Sequence, residues 1–255
     1  MFLTRLGIPR LWRRDPEVLW PRLRYIVAPV TMLLAPSHAY GVERVPASGG
    51  GVIAANHLSA IDPSLVGALC PRTIFYMAKI ELLSIPVVGE ALQWTGAFPV
   101  RRGEGDRESL RQAREIARAG HMVGFFVEGT RQRFGYPGRV LPGGMMIAVQ
   151  EGVPIVPCGV YSFGWSLRNR MSCAVVWGKP LEVSDLPRGG RGYKQAAEIV
   201  GAEILRLWRQ AAEAAGAGLP ERLPDGTPRV GPVYPGPLDV STAPSPTTGV
   251  KRAAA

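Results

Sequence analysis

The chain has 255 residues, 46% of them apolar and 20% charged, which excludes a disordered or fibrous polypeptide and supports one sizeable core. Its formal net charge of +10 is carried mainly by arginine and favours anionic partners; charge alone does not choose between nucleic acid, lipid headgroups and phosphorylated substrates. Cys70, Cys158 and Cys173 are odd in number and widely spaced in apolar stretches, so buried free thiols facing a reducing compartment are expected, and neither a disulfide framework nor a metal site.

Residues 1–38 form a basic, aromatic lead. Arg5, Arg10, Arg13, Arg14, Arg22 and Arg24 stand with Trp12 and Trp20 around the start of an apolar run over residues 25–36, which Pro29 interrupts. No run reaches the roughly 18–20 apolar residues that span a bilayer. The run starts too late for a secretory signal, and no convincing small-residue cleavage site follows the positive region. Arginine and tryptophan beside a short apolar segment suit a helix pair lying in the headgroup region; a first core helix with a basic outer face is the alternative.

Residues 39–216 alternate short β-branched runs with helical patterns, an α/β arrangement. Buried strands are expected at 51–56 (GVIAAN), 73–78, 97–100, 122–127, 155–161 and 173–177. Residues 106–119 place Leu110, Ala113, Ile116 and Ala117 on one helical face, with Gly120 as a stop. Residues 194–215 form a second amphipathic helix, with Ile199, Ile204, Leu205 and Trp208 expected inward. Residues 217–255 hold eight of the 24 prolines and little apolar periodicity, so a disordered tail is expected there. The expected fold is a single mixed, mostly parallel sheet flanked by helices.

The chemistry concentrates in residues 56–63 (NHLSAIDP). His57 follows a buried strand, the place where such sheets present active groups. Asp62 precedes Pro63 and an apolar run, as a helix N-cap does. On one continuous helix a spacing of five would set the two side chains about 140° apart. A strand-to-helix loop instead lets the carboxylate fold back to the imidazole, which suits a base whose tautomer a carboxylate fixes. The plainer alternative is a loop histidine beside an ordinary cap.

This segment, HLSAID, resembles the H-x-x-x-x-D signature of the glycerolipid acyltransferases, best known through the 1-acylglycerol-3-phosphate acyltransferases. Three further blocks follow in that family's order: GAFPVRR at 96–102, FVEGTR at 126–131 and VPIVP at 153–157, with the lysine-bearing YMAKIEL at 76–82 between the first two. The family's second block often carries an acid before its arginine, where this chain has Arg101.

The resemblance implies transfer of a fatty acyl group from acyl-CoA or acyl carrier protein to the free hydroxyl of 1-acylglycerol 3-phosphate, giving phosphatidic acid. His57 would act as general base and Asp62 would orient it. Arg102, Glu128, Gly129, Thr130 and Arg131 would bind the phosphate, and Asn56, Lys79, Arg101 and Pro157 would add substrate contacts. No metal or resident cofactor is implied, and the expected place is the cytoplasmic face of the cell membrane, peripheral or monotopic. Glycerol 3-phosphate or another lysolipid as acceptor is the alternative, followed by a non-catalytic module that binds anionic lipid. Both arginine candidates follow strands, and a guanidinium fork can hold two phosphate oxygens.

Other patterns carry less. Residues 160–164 (VYSFG) put Val160 where a nucleophile elbow needs glycine, and residues 102–108 (RGEGDRE) put Glu108 where a dinucleotide loop needs its third glycine. Arg107, Arg111, Arg114 and Arg118 read as a solvated helical stripe. His38, His121, Met145 and Met146 read as structural. A nucleic-acid binder finds no helix-turn-helix, zinc or RNP-like pattern.

Overall fold

A computed structural model describes residues 15–100 and 107–231. In chain order it contains α1 (Pro16–Leu34), β1 (Ser37–Tyr40), β2 (Gly51–Ala55), α2 (Asp62–Ala68), β3 (Ile74–Lys79), α3 (Ile80–Leu83), α4 (Val88–Trp94) and β4 (Phe98–Val100). There follow α5 (Arg107–Arg118), β5 (Met122–Phe126), α6 (Pro142–Glu151), β6 (Ile155–Tyr161), β7 (Cys173–Trp177), α7 (Gly190–Gly216) and β8 (Arg229–Val230).

The eight strands form one sheet in the order β4-β3-β5-β2-β6-β7-β1-β8. The five strands from β4 to β6 are mutually parallel, with Ala55 of β2 opposite Phe126 of β5 and Lys79 of β3 opposite Val100 of β4. Their carboxyl ends therefore open at one edge. β7 runs antiparallel to β6, and β8 antiparallel to β1.

Helices cover both faces, so the central strands read as unbroken apolar runs and not as an alternation. On β2, Val52 and Ala54 join the core beneath α5, α6 and α7, with Ile116, Met145, Val200 and Ile204. Ile53 and Ala55 point the other way, toward Leu65 of α2 and Leu69 just after it. The antiparallel wing has its own apolar cluster: Tyr40, Ala174 and Val176 meet Leu207, Ala211 and Ala214 of α7.

The inward face of α7 differs from expectation. Val200, Ile204, Leu207, Ala211 and Ala214 are buried, whereas Ile199 is 43% exposed. The helix begins at Gly190, and its stripe is set by close approach to the sheet. A Cβ on Gly159 would lie 2.4 Å from backbone atoms of Leu207 and Trp208.

One boundary moves. Residues 217–231 are not a disordered tail, because Leu219 and Leu223 are buried against Tyr40 and α7. The Tyr40 hydroxyl donates to the Pro220 carbonyl (2.8 Å), an Arg44 guanidinium N–H donates to the Thr227 hydroxyl (2.6 Å), and β8 pairs with β1. The prolines break helical periodicity there without preventing side-chain anchorage. Residues 232–255 lie outside the described residues.

At the other end, α1 runs through Pro21 and Pro29 and is capped by Asp15, which accepts from the Glu17 N–H (2.9 Å). Arg24 is buried on its inner face with Trp20, Ala28 and Thr31, so not every arginine of the lead faces outward. Residues 1–14, which would supply the other helix of the expected pair, lie outside the described residues. None of the described helices is long and apolar enough to cross a membrane. All three cysteines are free and buried.

Candidate active site

β2 delivers His57 to the carboxyl edge of the sheet, and the chain then turns through Leu58–Ser59 into α2. Asp62 is the first residue of that helix, and the N-cap position belongs to Ile61. Its carboxylate turns back and gathers the loop. Oδ2 lies 2.8 Å from His57 Nδ1 and accepts the backbone N–H of Leu58 (2.6 Å) and of Ser59 (2.8 Å). At Oδ1 stand two hydroxyls: Ser59, at 3.0 Å, and Ser162 at the end of β6, which donates to the same oxygen. The expectation of an N-cap is thus corrected. Asp62 is fully buried, and this donor shell is what a buried carboxylate requires.

The imidazole is held on a second side by its face. It stacks on Phe126, with ring centroids 4.3 Å apart, and Tyr76 lies behind Phe126. With Nδ1 directed at Asp62, Nε2 is the nitrogen left to exchange a proton.

The loop after β5 grips the main chain of the same histidine. Glu128 Oε2 accepts the His57 N–H (2.7 Å), Glu128 Oε1 accepts the Gly138 N–H (3.1 Å), and the Gln132 N–H donates to the His57 carbonyl (2.8 Å). Gly129, at φ +71°, makes the turn that returns its N–H to the Phe126 carbonyl. Glu128 is buried, and burial pushes its carboxyl up to about 7; the N–H donors of Gly138 and His57 pull the other way, and the nearby Asp62 adds to the rise.

The expected site residues therefore separate. His57 and Asp62 are joined. Gly129, Thr130 and Arg131 are exposed on the adjacent strand end, and Lys79 is exposed at the end of β3, so all four stand at the edge that carries His57. Three of the expected residues are engaged within the protein. The oxygens of Glu128 serve two backbone N–H groups, and no arginine among the described residues pairs with it. Asn56 is buried, and both ends of its amide serve Val160, accepting its N–H and donating to its carbonyl, each at 2.8 Å. Pro157 is buried inside β6 opposite Ala54, with its carbonyl accepting from Gly178 (2.9 Å). Both help hold the sheet together. Arg101 and Arg102 lie outside the described residues, immediately after β4.

Sequence reasoning missed Ser59, Ser162 and Phe126. Ser162 lay inside a rejected nucleophile pattern. Its position at the end of the strand beside β2 was the available signal, and that signal needs the strand order.

Known proteins place this arrangement. A family model described as Acyltransferase matches residues 37–161, the stretch from β1 through β6. The chain is 32% identical over 149 residues to the 1-acyl-sn-glycerol-3-phosphate acyltransferase of Bacillus subtilis, covering 57% of this chain and 74% of that protein. It is 33% identical over 109 residues to the lyso-ornithine lipid O-acyltransferase of Pseudomonas aeruginosa, covering 42% of this chain and 41% of that one. Among solved structures, the 1-acyl-sn-glycerophosphate (LPA) acyltransferase PlsC of Thermotoga maritima superposes with a TM-score of 0.63 at 22% identity, over 76% of this chain and 83% of that one, which shows the same fold. With the histidine–aspartate pair in place at the carboxyl edge of the sheet, and a relative of this similarity over most of its length, the chain belongs to the acyltransferase family that includes the 1-acyl-sn-glycerol-3-phosphate acyltransferases.

Proposed function

We propose that the protein transfers a fatty acyl group from acyl-CoA or acyl carrier protein to the free hydroxyl of 1-acylglycerol 3-phosphate, giving phosphatidic acid, with no resident cofactor. The observation that carries the reading is the His57 Nδ1–Asp62 Oδ2 contact of 2.8 Å at the end of the central strand, beside the strand end that bears Arg131.

An alcohol is almost never ionised at neutral pH, so attack on a thioester needs a base in reach of its proton. His57 Nε2 takes that proton as the hydroxyl oxygen bonds to the thioester carbonyl carbon. The C–S bond then breaks, and the same proton leaves with the sulfur as a thiol. Asp62 holds the tautomer and offsets the positive charge that develops on the ring. Arg131, with Arg101 and Arg102, which follow Val100 in the sequence, neutralises the acceptor phosphate, and Lys79, Gly129 and Thr130 line the edge that carries His57. Glu128 keeps the histidine's main chain in register.

The reaction takes place on the cytoplasmic face of the membrane, with the protein bound peripherally. Supporting the peripheral binding, the outer face of α1 exposes Val18, Tyr25, Ile26, Val30 and Leu33, with Ile26 and Leu33 at 67% and 68%. The similarity to the lyso-ornithine lipid enzyme keeps a second acceptor in view, one that lacks the glycerol phosphate.

The test is an assay of the purified chain with acyl-CoA and acyl carrier protein as donors, crossed with 1-acylglycerol 3-phosphate, glycerol 3-phosphate and lyso-ornithine lipid. Preference for 1-acylglycerol 3-phosphate is expected. Preference for a phosphate-free acceptor overturns the acceptor assignment, and inactivity with every pair overturns the enzymatic reading.

A further inference from the structure

Two loops leave the carboxyl edge of the sheet on either side of His57. The first, residues 131–139 (RQRFGYPGR), carries Arg131, Arg133 and Arg139 and no acidic residue; the second, residues 162–170 (SFGWSLRNR), carries Arg168 and Arg170 and no acidic residue. All five arginines are exposed, and none forms an ion pair within the described residues. The arginines of α5 contrast with them: Arg111 pairs with Glu108 and Glu115, and Arg114 and Arg118 pair with Glu151.

Between the unneutralised arginines the same loops expose large apolar side chains. Phe134 is 78% exposed, Leu167 is 67% exposed, and Tyr136 and Phe163 are exposed beside them. The Phe134 and Tyr136 rings lean on each other with centroids 6.3 Å apart. The loops touch, since a Cβ on Gly135 would lie 2.8 Å from the Phe163 ring. The second loop also reaches α1, where Trp165 Nε1 donates to the Leu34 carbonyl (3.0 Å), next to the exposed Leu33. One surface thus runs from the outer face of α1 through both loops to the rim of the His57 site.

We propose that loops 131–139 and 162–170 form a second docking surface for an anionic bilayer, continuing the outer face of α1 and seating the rim of the His57 site on the lipid. The mixture is that of a membrane interface, where guanidinium groups meet lipid phosphates and aromatic rings settle at headgroup depth. An acidic carrier protein would also be drawn to the arginines. Phe134 and Leu167, and the contact of the second loop with the end of α1 that carries exposed Leu33, favour a lipid surface. The inference rests on the lysolipid reading above, because a lipid-borne acceptor gives the docking its use.

The test compares the full-length protein with Phe134→Ser/Leu167→Ser and with Arg133→Gln/Arg168→Gln/Arg170→Gln, leaving Arg131 in place. Binding is measured by sedimentation with phosphatidylcholine vesicles, with and without phosphatidylglycerol. Activity is measured on a vesicle-borne lysolipid and on a short-chain analogue monomeric in water. The arginine variant is expected to bind anionic vesicles about a hundredfold more weakly and the Phe134/Leu167 variant about tenfold, each with a similar loss in kcat/KM on the vesicle-borne acceptor and the monomeric acceptor unaffected. Added salt should weaken binding of the parent protein more than that of the arginine variant. Unchanged vesicle affinity in both variants overturns the proposal. So does an equal loss on both acceptors, which would make the loops part of the acceptor site, and so does a loss confined to acyl carrier protein as donor. If the parent protein acylates neither acceptor, the enzymatic reading fails, and the vesicle data still decide the docking surface.

Discussion

At the scale of single residues, the buried carboxylates divide the work at His57. Asp62 holds the imidazole and is itself held by two backbone N–H groups and two serine hydroxyls. Ser162→Ala removes one hydroxyl from a fully buried oxygen; it should cost about 1–3 kcal/mol of stability, read by denaturant unfolding, and lower kcat more than it changes KM. Glu128 offers a test in pH. Its carboxyl is raised to about 7 in the folded chain, above its ordinary unfolded value, so between those values the folded state binds the proton and the unfolded state does not. The contribution is full in acid below the unfolded value and is lost as pH rises through about 7. Glu128→Gln should therefore flatten the fall in stability between mildly acidic and neutral pH, and equal slopes in the two proteins would contradict the burial argument. The pairing of His57 with Asp62 was legible from spacing and from the strand that precedes it. The work of Asn56, Pro157 and Glu128 was not, because each is polar or conspicuous in sequence yet satisfied by backbone from a neighbouring strand or loop.

At the scale of elements, strands β2, β5, β6 and β7 were readable because burial on both faces leaves continuous apolar runs. β1 and β8 were not. Ser37–Tyr40 mixes polar and apolar residues, and Arg229–Val230 is two residues long among prolines, so only their partners define them. The face of α7 was misjudged by one position at Ile199 because the helix sits so low on the sheet that Gly159 must lack a side chain. Gly159→Ala is expected to push α7 away and cost about 1–3 kcal/mol or more, measured by thermal or denaturant melting. A melting point equal to that of the parent protein would show that the helix has room to shift. The folded stretch 217–231 makes a companion prediction. Compared with a chain ending at residue 231, one ending at residue 216 loses the burial of Leu219 and Leu223, about 1.5–3 kcal/mol for each side chain, and should melt clearly lower.

At the scale of the whole molecule, topology gives the site its place. Five parallel strands bring residues from sequence positions 57, 79, 128–131 and 162 to one edge, and the same edge carries the arginine-rich loops and faces the end of α1. The basic charge visible in the composition is thereby divided: part is paired on α5 with Glu108, Glu115 and Glu151, and part is left open beside His57. Sequence alone pointed to an anionic partner, and strand order is what assembles the unpaired arginines around one histidine. The most direct measurement is the single-turnover rate of acyl transfer to 1-acylglycerol 3-phosphate by the full-length protein and by His57→Ala, with equal melting curves establishing that both are folded. A fall of about 10²–10⁴ in the transfer rate, with lysolipid binding retained, is the predicted result. Transfer by His57→Ala at close to the parent rate would contradict the assignment of His57 as the base.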